Sequence, residues 1–499
     1  MRKFFKLITN RITIVLFLIL LQFVAFYVLT YVLSEYETIR PWVEVTIGIL
    51  SAVIALHVVG GTANSGYKLS WIVFILVLPV FGCLYYIFYH QWNIRKSKRK
   101  RVEQLKETRK VLLPISEDFH SERRLDNYLS LTNWPLYRQT KTTFYPSGEL
   151  AMKAILKKMR EAKKYILIEF FVFKNGKLFD EFFSVLKEKA KEGIEVKLIY
   201  DDFGSPDLKY SFAKKMKDFG IEVRSFNPVT ANINMSFNYR DHRKIIVIDG
   251  EFAFTGGINI GDEYVNLDSK LGHWLDCGIF LEGDAVWSLV VTFFENWLFK
   301  KQVEFDFLKY KSNYQVRSSE SILPFAEIPF DNEDTTRNVL LDLITNSKKK
   351  IHISTPYLIL DNELVTALSL AAKSGVDVKI IIPKIPDKKL TYVVTKSYAY
   401  DLMMAGVKVY KYTPGFNHAK VFIFDSIVMM GTSNLDFRSM YLHLENNVLI
   451  YDCKSLGEIN EFFDEMINKS EIIDEKDAKR KNIFYQIGRA VLRVFAPQL

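Results

Sequence analysis

Cysteine is nearly absent. Three thiols, Cys83, Cys277 and Cys453, are scattered over 499 residues, so neither a disulfide framework nor a Cys-x-x-Cys zinc site can be built. Acidic residues fall short of basic ones, 57 against 67, leaving a formal net charge of +10. That balance admits nucleic acid, anionic lipid or another phosphate-bearing partner without selecting among them. With 25% charged and 49% hydrophobic residues, the chain has neither a disordered nor a collagen-like composition. Its length excludes a single compact core and favours two or more domains.

Charge is also missing locally. Ile12–Leu33 carries none over 22 residues, enough to cross a hydrocarbon core, which takes roughly 20 apolar residues. No small-residue cleavage site follows it, so it reads as a retained anchor rather than a signal peptide. Val43–Val59 and Trp71–Tyr89 are further apolar runs, separated by a Gly-rich loop at 60–66. The expectation is a multi-pass membrane region over 1–90, with a buried or re-entrant helix as the alternative for one of the shorter runs. Two basic clusters compete for the inner face under the positive-inside rule: Arg2, Lys3, Lys6 and Arg11, and the denser Arg95, Lys96, Lys98, Arg99, Lys100 and Arg101. The denser one places the bulk of the chain in the cytoplasm and suits anionic lipid headgroups.

The remainder repeats itself. Gly193-Ile194-Glu195-Val196-Lys197-Leu198-Ile199 returns as Gly375-Val376-Asp377-Val378-Lys379-Ile380-Ile381, and Phe219-Gly220-Ile221-Glu222-Val223 as Ala405-Gly406-Val407-Lys408-Val409. Each copy follows a run of helical period and opens a β-branched strand. Helices alternating with strands imply α/β lobes with mainly parallel sheets. We place them at 141–310 and 325–475, behind a basic linker at 91–140 and ahead of an amphipathic tail at 476–499. The tail sets Ile483, Phe484, Ile487, Val491, Val494 and Phe495 on one helical side, a pattern suited to a membrane surface or to packing on the second lobe.

Each lobe ends its repeat with one short pattern. The first reads His242-Arg243-Lys244, four apolar residues, Asp249, then Gly256-Gly257-Ile258-Asn259; the second reads His418-Ala419-Lys420, four apolar residues, Asp425, then Gly431-Thr432-Ser433-Asn434. Residues two apart on a strand share a face, so His and Lys project together. Each Asp lies an odd number of positions from its His, facing away, which suits it to holding the turn. A cation beside each imidazole disfavours a metal and favours a phosphate, whose oxygens two Lys and two Asn can hold. His57, His90, His120, His273, His352 and His443 have no such context.

These paired motifs resemble the phospholipase D superfamily and, within it, the bacterial cardiolipin synthases. The stretches Gly256-Gly257-Ile258-Asn259-Ile260-Gly261-Asp262-Glu263-Tyr264 and Asn434-Leu435-Asp436-Phe437-Arg438-Ser439 carry the closer likeness. The resemblance implies two phospholipase D-like lobes about a pseudo-two-fold axis, behind transmembrane helices, with both motifs in one site. It implies a catalytic set of His242, Lys244, Asp249, His418, Lys420 and Asp425, with Asn259 and Asn434 on phosphate and neither metal nor cofactor. It further implies phosphatidyl transfer between two phosphatidylglycerol molecules through a phosphohistidine on His242, with an anionic membrane and no nucleic acid as partner. A hydrolytic phospholipase D and a nuclease of the same superfamily are the alternatives. Because a catalytic imidazole needs an acceptor on its second nitrogen, Asp276 and Glu445, each in the segment after its own lobe's Gly-x-x-Asn turn, are expected to orient the two rings. The second motif is one residue shorter between its Asp and its Gly, leaving the return of Thr432 and Asn434 to be established.

Overall fold

The computed structural model describes residues 23–24, 27–28, 31, 36, 38–61, 63–89, 92–116, 119–209, 211–228, 238–299, 305–331, 333–474 and 483–498. Two units divide the chain, one of residues 1–92 with 494–498, the other of 93–493 with 499.

In the first unit the run at Ile12–Leu33 lies largely outside the described residues. The second run is a 21-residue helix, Arg40–Gly60, about 31 Å long at ~1.5 Å per residue and sufficient to cross a bilayer. The third run is not one span. It breaks into helices Ser65–Val77 and Pro79–Tyr89, because Pro79 lacks a backbone N–H and drives Leu78 out of helical geometry, to φ −128° and ψ 70°. These helices, 13 and 11 residues long, are each too short to cross. They fold against one another where Gly82 has no side chain: a Cβ there would lie 2.6 Å from the Ile75 Cα. Val58, Trp71, Ile75, Cys83 and Tyr86 form the shared core.

The second unit holds the two lobes. In the first, β1 (Thr140–Tyr145), β2 (Tyr165–Phe170), β3 (Glu195–Asp201) and β4 (Ile221–Phe226) precede the short β5 (Arg240–Asp241). Then come β6 (Lys244–Ile248), β7 (Phe252–Gly256) and β8 (Gly278–Gly283). The sheet runs β1-β8-β7-β6-β2-β3-β4, parallel through β2, β3 and β4 and antiparallel elsewhere. β6, apolar throughout after Lys244, is buried along its whole length.

The second lobe opens with β9 (Ser321–Glu327), β10 (Lys350–Ser354), β11 (Leu358–Ile359), β12 (Asp377–Pro383) and β13 (Lys408–Tyr412). It continues with β14 (Val421–Phe424), β15 (Ile427–Gly431), β16 (Leu435–Asp436), β17 (His443–Tyr451) and β18 (Ser470–Ile472). Its main sheet runs β18-β13-β12-β10-β14-β15-β17, and β17 also accepts β9 and the first lobe's β5. A strand of one lobe therefore completes the sheet of the other.

The stretch 91–140 is more than a connection. It contains helices Trp92–Leu112 and Arg124–Leu131. Arg109 is buried, paired with Glu295 at 2.8 Å and stacked 4.1 Å over the Trp134 ring, which ties the first of these helices to the first lobe. At the far end, helix Ile483–Val494 stacks Arg493 over Tyr398 and pairs it with Asp401, while Ile487 and Val491 remain exposed.

Candidate active site

The two motifs meet across the lobes, and backbone bonds fix how. The His242 N–H donates to the Leu444 carbonyl at 2.9 Å, and the His418 N–H donates to the Leu275 carbonyl at 2.7 Å. Leu444 and Leu275 immediately precede Glu445 and Asp276. Each imidazole therefore receives its carboxylate from the opposite lobe. His242 Nδ1 lies 2.9 and 3.0 Å from the two Glu445 oxygens, and His418 Nδ1 lies 2.6 Å from Asp276 Oδ2. The placement of these acids after their own lobes' motifs suggested pairing within a lobe; the structure crosses it, because β5 joins β17 and Leu275 bridges to Asn417. With Nδ1–H on a carboxylate, each Nε2 presents its lone pair to the site.

Lys244 and Lys420 stand beside their imidazoles, each Nζ donating to the carbonyl of its own histidine, at 2.6 and 2.7 Å. Both are buried. Burial pushes the Lys244 ammonium down to about 7 and lowers Lys420 as well, against the pull of Glu445 and Asp276. Burial, reinforced by these two lysines, also holds both imidazoles well below their ordinary value. The site thus sets two buried lysines against two buried carboxylates around two imidazoles.

Asp249 and Asp425 do not join it. The strand β6 separates Asp249 from Lys244, some ~16 Å at ~3.3 Å per residue. The Asp249 carboxylate accepts from the backbone N–H groups of Lys163, Lys164 and Tyr165 at 2.7–2.9 Å. Asp425 does the same for Lys348, Lys349 and Lys350 at 2.9–3.0 Å. Both adopt left-handed backbone, φ 55° and 53°, so a turn-forming residue with a short acceptor is needed there. They are corrected from catalytic to structural.

The missing residue in the second motif is absorbed in that turn. Ile248 pairs with Phe252 across three residues, whereas Phe424 pairs with Ile427 across two. Both asparagines return. Asn259 accepts from the Val172 N–H at 3.0 Å and donates to the Tyr264 hydroxyl at 2.9 Å, and that ring sits 5.6 Å from the His418 ring. Asn434 donates to Asp436 at 3.0 Å. Thr432 donates its hydroxyl to Glu445 at 2.5 Å.

One histidine without motif context belongs to the site. His443 is buried, its ring 5.5 Å from that of His242. Its Nε2 accepts from Arg438 at 3.1 Å, which leaves the proton on Nδ1, 3.7 Å from Glu445 Oε1. The signal for it was positional: it lies two residues before Glu445 on β17, on the same face. His242, His443 and Glu445 offer donor atoms within 4.8 Å of one another, a grouping that could hold a cation. Glu445 is already engaged by His242, Thr432 and Ser439, and Arg438 and two lysines stand nearby, while His443 Nδ1 has no hydrogen-bond partner among the described residues.

A family model described as the phospholipase D-like domain of cardiolipin synthase matches residues 155–295 and 340–467, one segment in each lobe. Cardiolipin synthase 2 of Bacillus anthracis is 33% identical over 86% of this chain and 86% of its own length. Cardiolipin synthase of Halalkalibacterium halodurans is 31% identical over 98% of this chain and all of its own.

The chain belongs to the cardiolipin synthase family.

It is thus a phosphatidyltransferase of the phospholipase D superfamily acting on phospholipids. Phosphatidylserine synthase of Haemophilus influenzae, 15% identical, shares the fold with a TM-score of 0.55 over 75% of this chain and 96% of its own. A second model, for the phospholipase D-nuclease N-terminal region, matches residues 49–89. Together with the apolar helix Arg40–Gly60, it associates this cardiolipin synthase relative with the membrane.

Proposed function

We propose that this enzyme makes cardiolipin and glycerol from two molecules of phosphatidylglycerol, through a phosphohistidine on His242. The observation that carries the reading is the crossed pair of imidazoles, each backed by the other lobe's acid, around two buried lysines. His242 Nε2, neutral near pH 7, attacks the donor phosphorus. The bond from phosphorus to the glycerol oxygen breaks, and His418 protonates the departing alkoxide. His418 then takes a proton from a hydroxyl of the second lipid, whose oxygen attacks phosphorus and expels His242. Lys244 and Lys420 hold the non-bridging oxygens, and Asn259 and Asn434 flank them.

The surroundings of the two acids support this division of roles. Glu445 accepts from His242, from Thr432 at 2.5 Å and from Ser439 at 2.7 Å; three donors stabilise its charge, and with it the cationic ring of a phosphohistidine. Asp276 has the Cys277 N–H at 2.9 Å besides His418, and burial pushes it up to about 7 despite Lys420. A carboxyl poised there suits the imidazole that exchanges a proton twice per cycle. The donor's phosphodiester brings a negative charge beside His418, which offsets the two lysines and lets that imidazole take up the proton it passes to the leaving group.

The multi-pass arrangement, with the lobes on the cytoplasmic face, belongs to the same proposal. Incubating the purified enzyme with labelled phosphatidylglycerol tests the chemistry. Cardiolipin with equimolar glycerol is expected; phosphatidic acid instead would make it a hydrolase. His242→Ala and His418→Ala should each abolish transfer, and the double variant should be no worse than either, since the two act as a unit.

A further inference from the structure

Under the proposed reaction the acceptor lipid carries a phosphodiester of its own, and no group described so far meets it. The two motif lysines are turned inward on their histidines' carbonyls and serve the phosphoryl group in transfer. A third cation stands at the rim.

Lys388 lies between the C-terminal end of β12 and the helix Lys389–Met404. In an α/β lobe, the ends of the parallel strands are where ligands bind. The neighbouring residue, Asp387, accepts from the Tyr357 hydroxyl at 2.5 Å, which fastens this loop to the segment leaving β10. Lys388 Nζ lies 5.1 Å from the centre of the same Tyr357 ring. The aromatic face supports the ammonium without neutralising it. Asp387 is thus engaged, while Lys388 is exposed and forms no ion pair among the described residues.

Strand pairing places this loop beside the reacting groups. Tyr357 leads into β11, whose Leu358 pairs with Leu435 of β16, the residue after Asn434, and the Leu435 N–H donates to Thr355, two residues before Tyr357, at 2.9 Å. The Lys388 charge accordingly bears on both His242 and His418.

We infer that Lys388, steadied on Tyr357 beside Asp387, binds the phosphodiester of the acceptor lipid and makes the site select an anionic acceptor. The inference rests on the phosphatidyl-transfer reading above. The motif lysines hold one phosphate and Lys388 the second, with the glycerol bridge of the product between them. A zwitterionic lipid would bring its own cation into the space beside Lys388 and be disfavoured.

The full-length enzyme in detergent-lipid micelles tests this, with labelled phosphatidylglycerol as donor and 1-propanol present as a neutral competing acceptor. Both acceptors attack the same phosphohistidine, so the ratio of cardiolipin to phosphatidylpropanol reads acceptor selection alone. Glycerol release counts every donor turnover. Lys388→Gln is expected to lower the ratio about tenfold, the loss of a charge-assisted contact, and Lys388→Arg to restore most of it. An unchanged ratio in Lys388→Gln would overturn the assignment. So would a fall in glycerol release that matches the fall in cardiolipin, since Lys388 would then act on the donor step. Failure of the wild-type enzyme to form cardiolipin would instead overturn the reaction itself, a result distinct from either.

Discussion

Asp276 and Glu445 do the same job on paper, each holding an imidazole by Nδ1, yet one is braced by two hydroxyls and the other is not. Replacing each with its amide keeps the shape and removes the charge. Asp276→Asn and Glu445→Gln are each expected to slow turnover by roughly 10²–10⁴-fold, the usual worth of an oriented acid–base group, with membrane binding and thermal midpoint near wild type. Steady-state turnover beside a melting curve checks both. His443 makes a different prediction. Burial first, with the neighbouring Arg438, pushes its imidazole down to about 3 despite Glu445. In the unfolded chain a histidine takes up a proton below about 6.5, whereas folded His443 does not until about 3. Stability is therefore lost as pH falls through that window. His242 and His418 act in the same direction. His443→Asn should flatten part of the decline, so its melting temperature should drop less than wild type between neutral pH and pH about 4.5. An equal drop in both proteins would show that His443 is protonated in the fold.

Among the elements, the turn Gly256–Asn259 shows what the motif spacing is for. Gly257 has no positive φ; its need is space. A Cβ at Gly257 would come 2.1 Å from Asp276 Oδ1, so Gly257→Ala must push that carboxylate off His418. Turnover is expected to fall at least as far as in Asp276→Asn. Gly457→Ala, on a helix with nothing within 4 Å of the added atom, should leave it unchanged. Equal activity in both variants would detach Asp276 from catalysis. The strands that carry these turns could be read in advance, because a doubled sequence has to fold twice the same way, and β2, β3, β6 and their counterparts stand where the repeats set them. The odd spacing of Asp249 and Asp425 likewise pointed them at the turn. Two things were not legible. The exchange of acids between lobes depends on β5 pairing with β17, a contact some 200 residues apart in sequence with no local pattern to announce it. The break of the third apolar run at Leu78-Pro79 was written in the chain, but hydropathy weighs proline as one more uncharged residue and does not register its missing N–H.

At the scale of the molecule, neither lobe is half an enzyme. Each contributes one imidazole and the other's acid, so the chemistry exists only where the two sheets meet. That site must then be presented to a lipid. Arg40–Gly60 is long enough to cross the bilayer, and the packed pair Ser65–Val77 and Pro79–Tyr89 is built of helices too short to do so singly. An odd or even number of crossings ahead of residue 93 decides on which side the lobes lie. The six basic residues between Arg95 and Arg101 outnumber the four near the N-terminus and sit on the lobe side of the last apolar helix, which favours the cytoplasm for everything that follows. The buried native thiols Cys83, Cys277 and Cys453 allow a direct measurement without removing them. Lys373, exposed at the end of helix Asn362–Lys373, can be replaced in the full chain as Lys373→Cys. A membrane-impermeant maleimide should leave this variant unlabelled in intact spheroplasts and label it once the membrane is opened. Wild-type protein should stay unlabelled in both conditions. Labelling of Lys373→Cys in intact spheroplasts would put the lobes outside and overturn the weight given to the Arg95–Arg101 cluster.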